Sequence, residues 1–245
     1  MSRFRPKPYH HGDLRRALLK AARKLVEAEG PAGLSFRRLA DAVDVSHAAP
    51  LAHFPDRLSL DAALAAQGFR EVRSRCERSG TPRPAPPARA AAPVWHLTQA
   101  MALPSPSPSA ATGRAAPGVM AMRLVTAALV YLRFALEHPG LYRVMYQPAL
   151  SERLQQEHPE AGSPFRELGA EKAKAFAVFL DLVKQGQEAG EFRSEFAPEQ
   201  AARLVTALTE GLAQRYLEEQ PGTQPLKEAE RLLELLLGGL SRLPG

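Results

Sequence analysis

Residues 34–55 read LSFRRLADAVDVSHAAPLAHFP, and the fold turns on them. Ser35 precedes Phe36, Leu39, Ala40 and Val43, which are spaced to share one helix face. A serine at that point accepts a hydrogen bond from an orphan amide of the first turn, so it reads as an N-cap. Val43-Asp44-Val45 then reads as a tight turn. A left-handed backbone is expected at Asp44, tolerated there at a cost of about 1 kcal/mol. Ser46 opens a further short helix that closes near Pro55. Pro50 falls in its first turn, where a missing amide costs less than in the interior. Two short helices across a tight turn are the outline of a helix-turn-helix.

Outward from this stretch the pattern stays helical, and no β alternation stands out. Asp13–Glu29 places Leu14, Ala17, Leu18, Ala21, Ala22, Leu25 and Val26 on one face. Gly12 or Asp13 can cap it, and Gly30-Pro31 ends it. Pro55-Asp56 starts a fourth helix through Leu60, Ala63, Leu64 and Val72. Residues 79–118, with SGTPRPAPPARAAAP and PSPSPSAATGRAAPG, are rich in Pro, Ala, Ser and Gly. Such a composition buries too little apolar area to offset chain entropy, so a flexible insert is expected. Within it VWHLTQAMAL (94–103) reads as a brief docked helix around Trp95, the single tryptophan. Helices are then expected at Val119–His138, 141–146, 151–157, Phe165–Ala189, Pro198–Glu219 and Pro225–Leu243, an antiparallel bundle. The predicted class is all-α. A helix-turn-helix domain with a basic arm spans 1–56, a connecting helix 57–78, the insert 79–118, and a ligand-binding and dimerisation bundle 119–245.

The net charge is +6, and its distribution carries the information. Residues 1–78 hold 15 Lys and Arg against 9 Asp and Glu, while residues 79–245 hold 17 of each. A basic head on a neutral body points to a polyanion partner. Arg37 and Arg38 lie in the first turn of the helix that Ser35 caps, where phosphate contact is expected. Arg3, Arg5 and Lys7 form an arm suited to phosphates or an adjacent minor groove. The opening MSRFRPKPYHHG lacks the apolar core of a secretion signal. The run LVTAALVYL (124–132) is too short to span a bilayer. One cysteine, Cys76, excludes an internal disulfide framework and fits a reducing cytoplasm. No metal or cofactor is expected.

YHHGDLRRALLKAARKLVEAEGPAGLSFRRLADAV (9–43) and VSHAAPLAHFPDRLSLDAALAAQGF (45–69) together resemble the N-terminal domain of the tetracycline-repressor (TetR) family. YLRFALEHPGLYRVMYQP (131–148) and GQEAGEFR (186–193) resemble the ligand-binding half of one subgroup, with a Trp-His-Gly type C-terminal domain. The resemblance implies an all-helical homodimer that binds a double-stranded DNA operator, a repressor released by a small ligand. Three departures stand out. Asp44 replaces a usual glycine. Leu51-Ala52-His53-Phe54 stands where relatives have Tyr-Arg-His-Phe, which removes a phosphate-binding hydroxyl and a cation. Thr206 and Glu210 stand where the subgroup has Trp and His, and only Gly211 is kept. The candidate base readers are then Ser46, His47, Ala48 and Leu51, with His53 near the backbone. His47 can donate to a guanine edge, and Ala48 and Leu51 can meet thymine methyls. Phe54 reads as core. Specificity is expected to lean on apolar contacts, DNA shape and dimer spacing.

The last two helices are apolar enough to need a partner surface, and the resemblance places a two-fold interface there, on the order of 1,200 Å² or more. An effector pocket is expected among Tyr131, Phe134, Tyr142, Met145, Tyr146, Phe176 and Phe179, lined for an apolar or aromatic molecule. The signatures GxSxG, GxGxxG, the phosphate loop and HExxH are absent. No enzymatic activity is expected. Two alternatives stay open: a related helical dimer whose DNA reading has decayed, leaving a ligand- or protein-binding module, and a helical-bundle enzyme.

Overall fold

A computed structural model describes residues 11–80, 118–156, 162–219 and 224–241. The arm with Arg3, Arg5 and Lys7, and nearly all of the 79–118 insert with Trp95, lie outside the described residues. The regular structure among the described residues is helical, with one isolated bridge between Phe192 and Ser241.

The first helix, α1 (His11–Glu29), begins two residues earlier than its sequence pattern suggests. Leu18, Leu19, Ala22 and Val26 form its buried stripe. Gly30 ends it with φ +74°, a backbone only glycine adopts freely, and its N–H donates to Val26 O at 2.9 Å. A 3-10 turn, Pro31–Gly33, leads to α2 (Phe36–Val43). Ser35 caps α2 as its position predicts, its hydroxyl accepting from the Arg38 amide at 3.3 Å. Asp44 closes α2 at φ 56°, ψ 54°. Its amide donates to Asp41 O at 3.3 Å, and the Val45 amide reaches Ala40 O at 3.1 Å. Those two bonds form a Schellman motif with aspartate in the left-handed position.

The segment after that turn differs from expectation. In place of a helix capped by Ser46 there is a turn, Ala49 N to Ser46 O at 2.9 Å, followed by a three-residue 3-10 helix, Pro50–Ala52. Pro50 is the cause. It has no amide to bond the Ser46 carbonyl, and its ring crowds that carbonyl, so the α ladder cannot run through it. Phe54 is fully buried, as its core reading requires.

The long helix α3 (Arg57–Gly80) starts at Asp56, whose Oδ1 accepts from the Ser59 amide at 2.7 Å. Expected to be a connector, it is buried on several sides through Leu60, Leu64, Phe69, Val72 and Cys76. It packs against α4 (Val119–Glu137), α5 (Pro139–Met145), α6 (Pro148–Gln156) and α7 (Pro164–Glu188) as well as α1. By length and mean hydropathy α4 matches a membrane-crossing helix, which the short run LVTAALVYL did not suggest. Here it buries Leu124, Ala128, Leu132 and Phe134 against α3, α7, α8 (Pro198–Glu218) and α9 (Pro225–Leu240). Glu191 accepts from the Met120 and Ala121 amides at 2.8 and 3.2 Å, closing the N-terminus of α4.

Among the contacts between head and body are two junctions at the ends of helices. A Cβ on Gly140, at the start of α5, would lie 1.9 Å from Val26 O, so only glycine permits this approach of α5 to α1. Glu27 seals it, accepting from the Gly140 amide at 3.1 Å and lying 3.3 Å from His138 Nδ1. At the second junction Arg57 joins the start of α3 to the α1–α2 connection. Its guanidinium donates to both oxygens of buried Asp61 at 2.9 and 3.0 Å, to Pro31 O at 2.8 Å and to Leu34 O.

Candidate nucleic-acid interface and buried polar core

The candidate DNA contacts of the described head lie on α2 and the turn after it. Arg37 is exposed and makes no hydrogen bond or ion pair among the described residues. Arg38 differs. Its guanidinium grips the Glu29 carboxylate with both Nη atoms, one contact at 2.5 Å, and donates to Gly33 O at 2.7 Å. The hydrogen bond from Arg38 holds the Glu29 carboxyl below its usual range and raises the Arg38 guanidinium above its own. Arg38 thus staples α2 to the end of α1, and Arg37 is the free cation of the pair. The Ser35 hydroxyl is occupied by its capping bond.

Ser46, Ala48 and Leu51 are exposed together on the turn and the 3-10 segment, Leu51 at 50%. An exposed leucine there suits an apolar contact such as a thymine methyl. His47 lies on the same surface, with Nε2 2.9 Å from Asp41 Oδ1. Its ring is positioned by α2 and must leave Asp41 to use that nitrogen on a base. His53 is half-buried beside them. Much of the head's positive excess is paired within the chain: Arg23 and Arg75 with Glu71, Arg57 with Asp61, Arg15 and Arg70 with Glu167. Charge counting in the sequence could not separate these internal pairs from Arg37.

Of the seven expected pocket residues, three gather at one place. The Tyr131 hydroxyl meets that of Tyr146, and Tyr146 donates to Glu210 Oε1 at 2.8 Å. Tyr142 donates to Glu210 O at 3.3 Å. Phe179 lies edge-on to Tyr131, with centroids 6.3 Å apart. Met145 is packed against Gly68 of α3. Phe134 belongs elsewhere, beside His138 and under the Arg75 guanidinium 5.1 Å away. Phe176 is half-buried at the edge of the core. A void of about 10 Å³, room for roughly one water, lies between Leu124, Val183, Phe192 and Leu237, and none of the seven lines it.

Burial raises the Glu210 carboxyl above its ordinary range, opposed by the Tyr146 hydrogen bond and the charge of Lys172. Burial likewise raises the Tyr131, Tyr142 and Tyr146 hydroxyls, so all three are neutral donors at ordinary pH. Sequence reading placed Glu210 only as a departure from the subgroup and missed Lys172 and Phe69. Nothing local marks these residues, which meet from α8, α7 and α3. Cys76, 2% exposed, donates weakly to Ala127 O at 3.5 Å, and burial pushes its thiol up to about 12.

Residues 124–240 match the family model "Tetracyclin repressor-like, C-terminal domain". That segment belongs to the TetR-type C-terminal domains. No curated protein matches it by sequence. Among solved structures, a protein of unknown function from Rhodococcus sp. RHA1 is 25% identical, with a TM-score of 0.66 over 97% of this chain and 100% of that one. A TetR-family regulatory protein from Rhodococcus RHA1 is 19% identical, with a TM-score of 0.59 over 94% and 98%. The Bacillus subtilis transcriptional regulator FadR, solved in complex with stearoyl-CoA, is 12% identical, with a TM-score of 0.60 over 92% and 98%. The last two likenesses concern the fold. TetR-family regulators bind DNA operators, dimerise and bind small-molecule effectors. In this chain α8 and α9 carry exposed Leu204, Ala207 and Gly211, and Leu235 and Gly239. Added Cβ atoms at Gly211 and Gly239 would meet nothing within 4 Å.

Proposed function

We propose that this chain is a cytoplasmic, homodimeric TetR-family transcription repressor that binds a DNA operator and is released by a small apolar or aromatic effector. One observation carries the reading. The capped α2 and its Schellman turn leave Arg37, Ser46, Ala48 and Leu51 exposed, while the α1–α5 junction joins that head to the body. Arg37 and the basic arm supply phosphate contacts; Ser46, Ala48, Leu51 and a released His47 read the groove. The exposed apolar strip on α8 and α9 supports the homodimer, with glycines that let partner helices approach closely. Two heads on a two-fold axis would read half-sites about 34–36 Å apart, or a multiple of that.

The test is selection of bound genomic fragments by the purified protein, then a salt titration on the enriched duplex. Operator binding gives paired half-sites and an affinity that falls steeply with salt, in proportion to the phosphates neutralised. A second reading has a specific observation in its favour. The recognition segment is a single 3-10 turn, with Arg38 and His47 held by partners of their own chain. A ligand- or protein-binding module with decayed DNA reading would bind every duplex weakly and enrich no sequence.

A further inference from the structure

Polar side chains inside a helical bundle cost more than apolar ones unless each is satisfied, so a connected polar set in the core calls for a reason. The set here is directional. The Tyr146 hydroxyl, in contact with that of Tyr131, donates to Glu210 Oε1, while Tyr142 donates to the carbonyl of the same residue. The Lys172 ammonium lies over two rings of this set, 5.9 Å from the Tyr146 ring centroid and 6.0 Å from that of Phe69. Its charge opposes the rise that burial gives the Glu210 carboxyl, and it makes no hydrogen bond or ion pair among the described residues. An ammonium between ring faces and near one carboxylate is the arrangement by which proteins recognise organic cations. Lys172 is only half-buried, on a flexible four-carbon stem that can carry its head into water.

We infer that Phe69, Tyr131, Tyr142 and Tyr146 around Glu210 form an aromatic cage for the ammonium head of a small organic cation, with Lys172 marking the position and giving way to the ligand. The inference rests on the effector-binding part of the proposed function and names the chemistry of the effector's polar end. An anionic head is disfavoured, because it would face the Glu210 carboxylate. A neutral head of the same shape would gain neither the ring-face attraction nor the charge pairing.

The test uses the full chain and isothermal titration with choline and its neutral isostere 3,3-dimethylbutan-1-ol. Lys172→Met keeps the stem and removes the competing charge. It should bind choline at least tenfold more tightly than the unaltered chain, and at least tenfold more tightly than the alcohol. Glu210→Gln should abolish choline binding without lowering the melting temperature. Equal binding of choline and the alcohol, no choline binding by the Lys172→Met protein, or unchanged binding after Glu210→Gln would each overturn the cage. The same preparations go through the DNA salt titration. Steep salt dependence without choline binding sinks the cage and leaves operator binding standing; choline binding without enrichment of any duplex does the reverse.

Discussion

Arg57→Met is the most informative single change in the head. Its guanidinium makes two hydrogen bonds to Asp61, which is 3% exposed, and two to the carbonyls of Pro31 and Leu34. Methionine fills much of the same volume but leaves the Asp61 carboxylate buried without a counter-charge. Removing one partner of a buried pair costs about 3–5 kcal/mol. Arg57 is itself 35% exposed, so water reaches part of the gap and about 2–3 kcal/mol is expected. With a urea slope of about 3 kcal/mol/M, the midpoint should fall by about 0.7–1 M. Protein concentration must be held fixed, because a dimer's stability depends on it. The loss should also depend on pH. Burial already raises the Asp61 carboxyl, and Arg57 opposes that rise. Without Arg57 the folded-state value climbs further above the unfolded one. The charged form then destabilises the fold progressively as pH rises past the unfolded value, and the added penalty vanishes near about pH 3. Asp61→Asn in the same chain removes the stranded charge and should recover about half of the loss. A midpoint shift below about 0.2 M, an equal deficit at pH 3 and pH 7, or no recovery in the double variant would refute the reasoning.

Arg37→Ala should weaken binding to all duplexes and lower the salt slope by about one counterion. Arg38→Ala should leave the slope unchanged and lower the melting temperature, because its partner is Glu29. Cys76 should resist a disulfide exchange reagent at pH 8 in the folded chain and react once urea exposes it, since burial pushes its thiol up to about 12. Glu210→Gln should raise the melting temperature at neutral pH: a carboxyl raised by burial destabilises the fold above its unfolded value, so the gain should fade as pH drops below that value. Gly211→Trp should leave the monomer folded, since a side chain there meets open space, and should convert the dimer to monomer in size-exclusion chromatography.

The helices were legible wherever the signal was local. Ser35, Asp44 and Gly30-Pro31 act within four residues of their own position, and each is found in the predicted conformation. The third segment misled because a serine cap and a proline in the first turn are each compatible with a helix. Only the ladder that Pro50 interrupts distinguishes the α from the 3-10 form. Long-range pairs left no trace in the sequence. Glu29 holds Arg38 across nine positions, and Tyr146 meets Glu210 across 64. The charge excess of the head was visible, but its division between internal pairs and a free Arg37 depends on which carboxylates fold back onto it.

Gly140 sits on the seven-residue helix that carries Tyr142 and is capped by Tyr146, and its Cα rests on the main chain of α1. The two helices are therefore geared without a side chain between them to absorb play. A pivot at Val26 makes the rest of α1, back to His11, a lever about 22 Å long, and each degree of tilt imposed by α5 sweeps the far tip by about 0.4 Å.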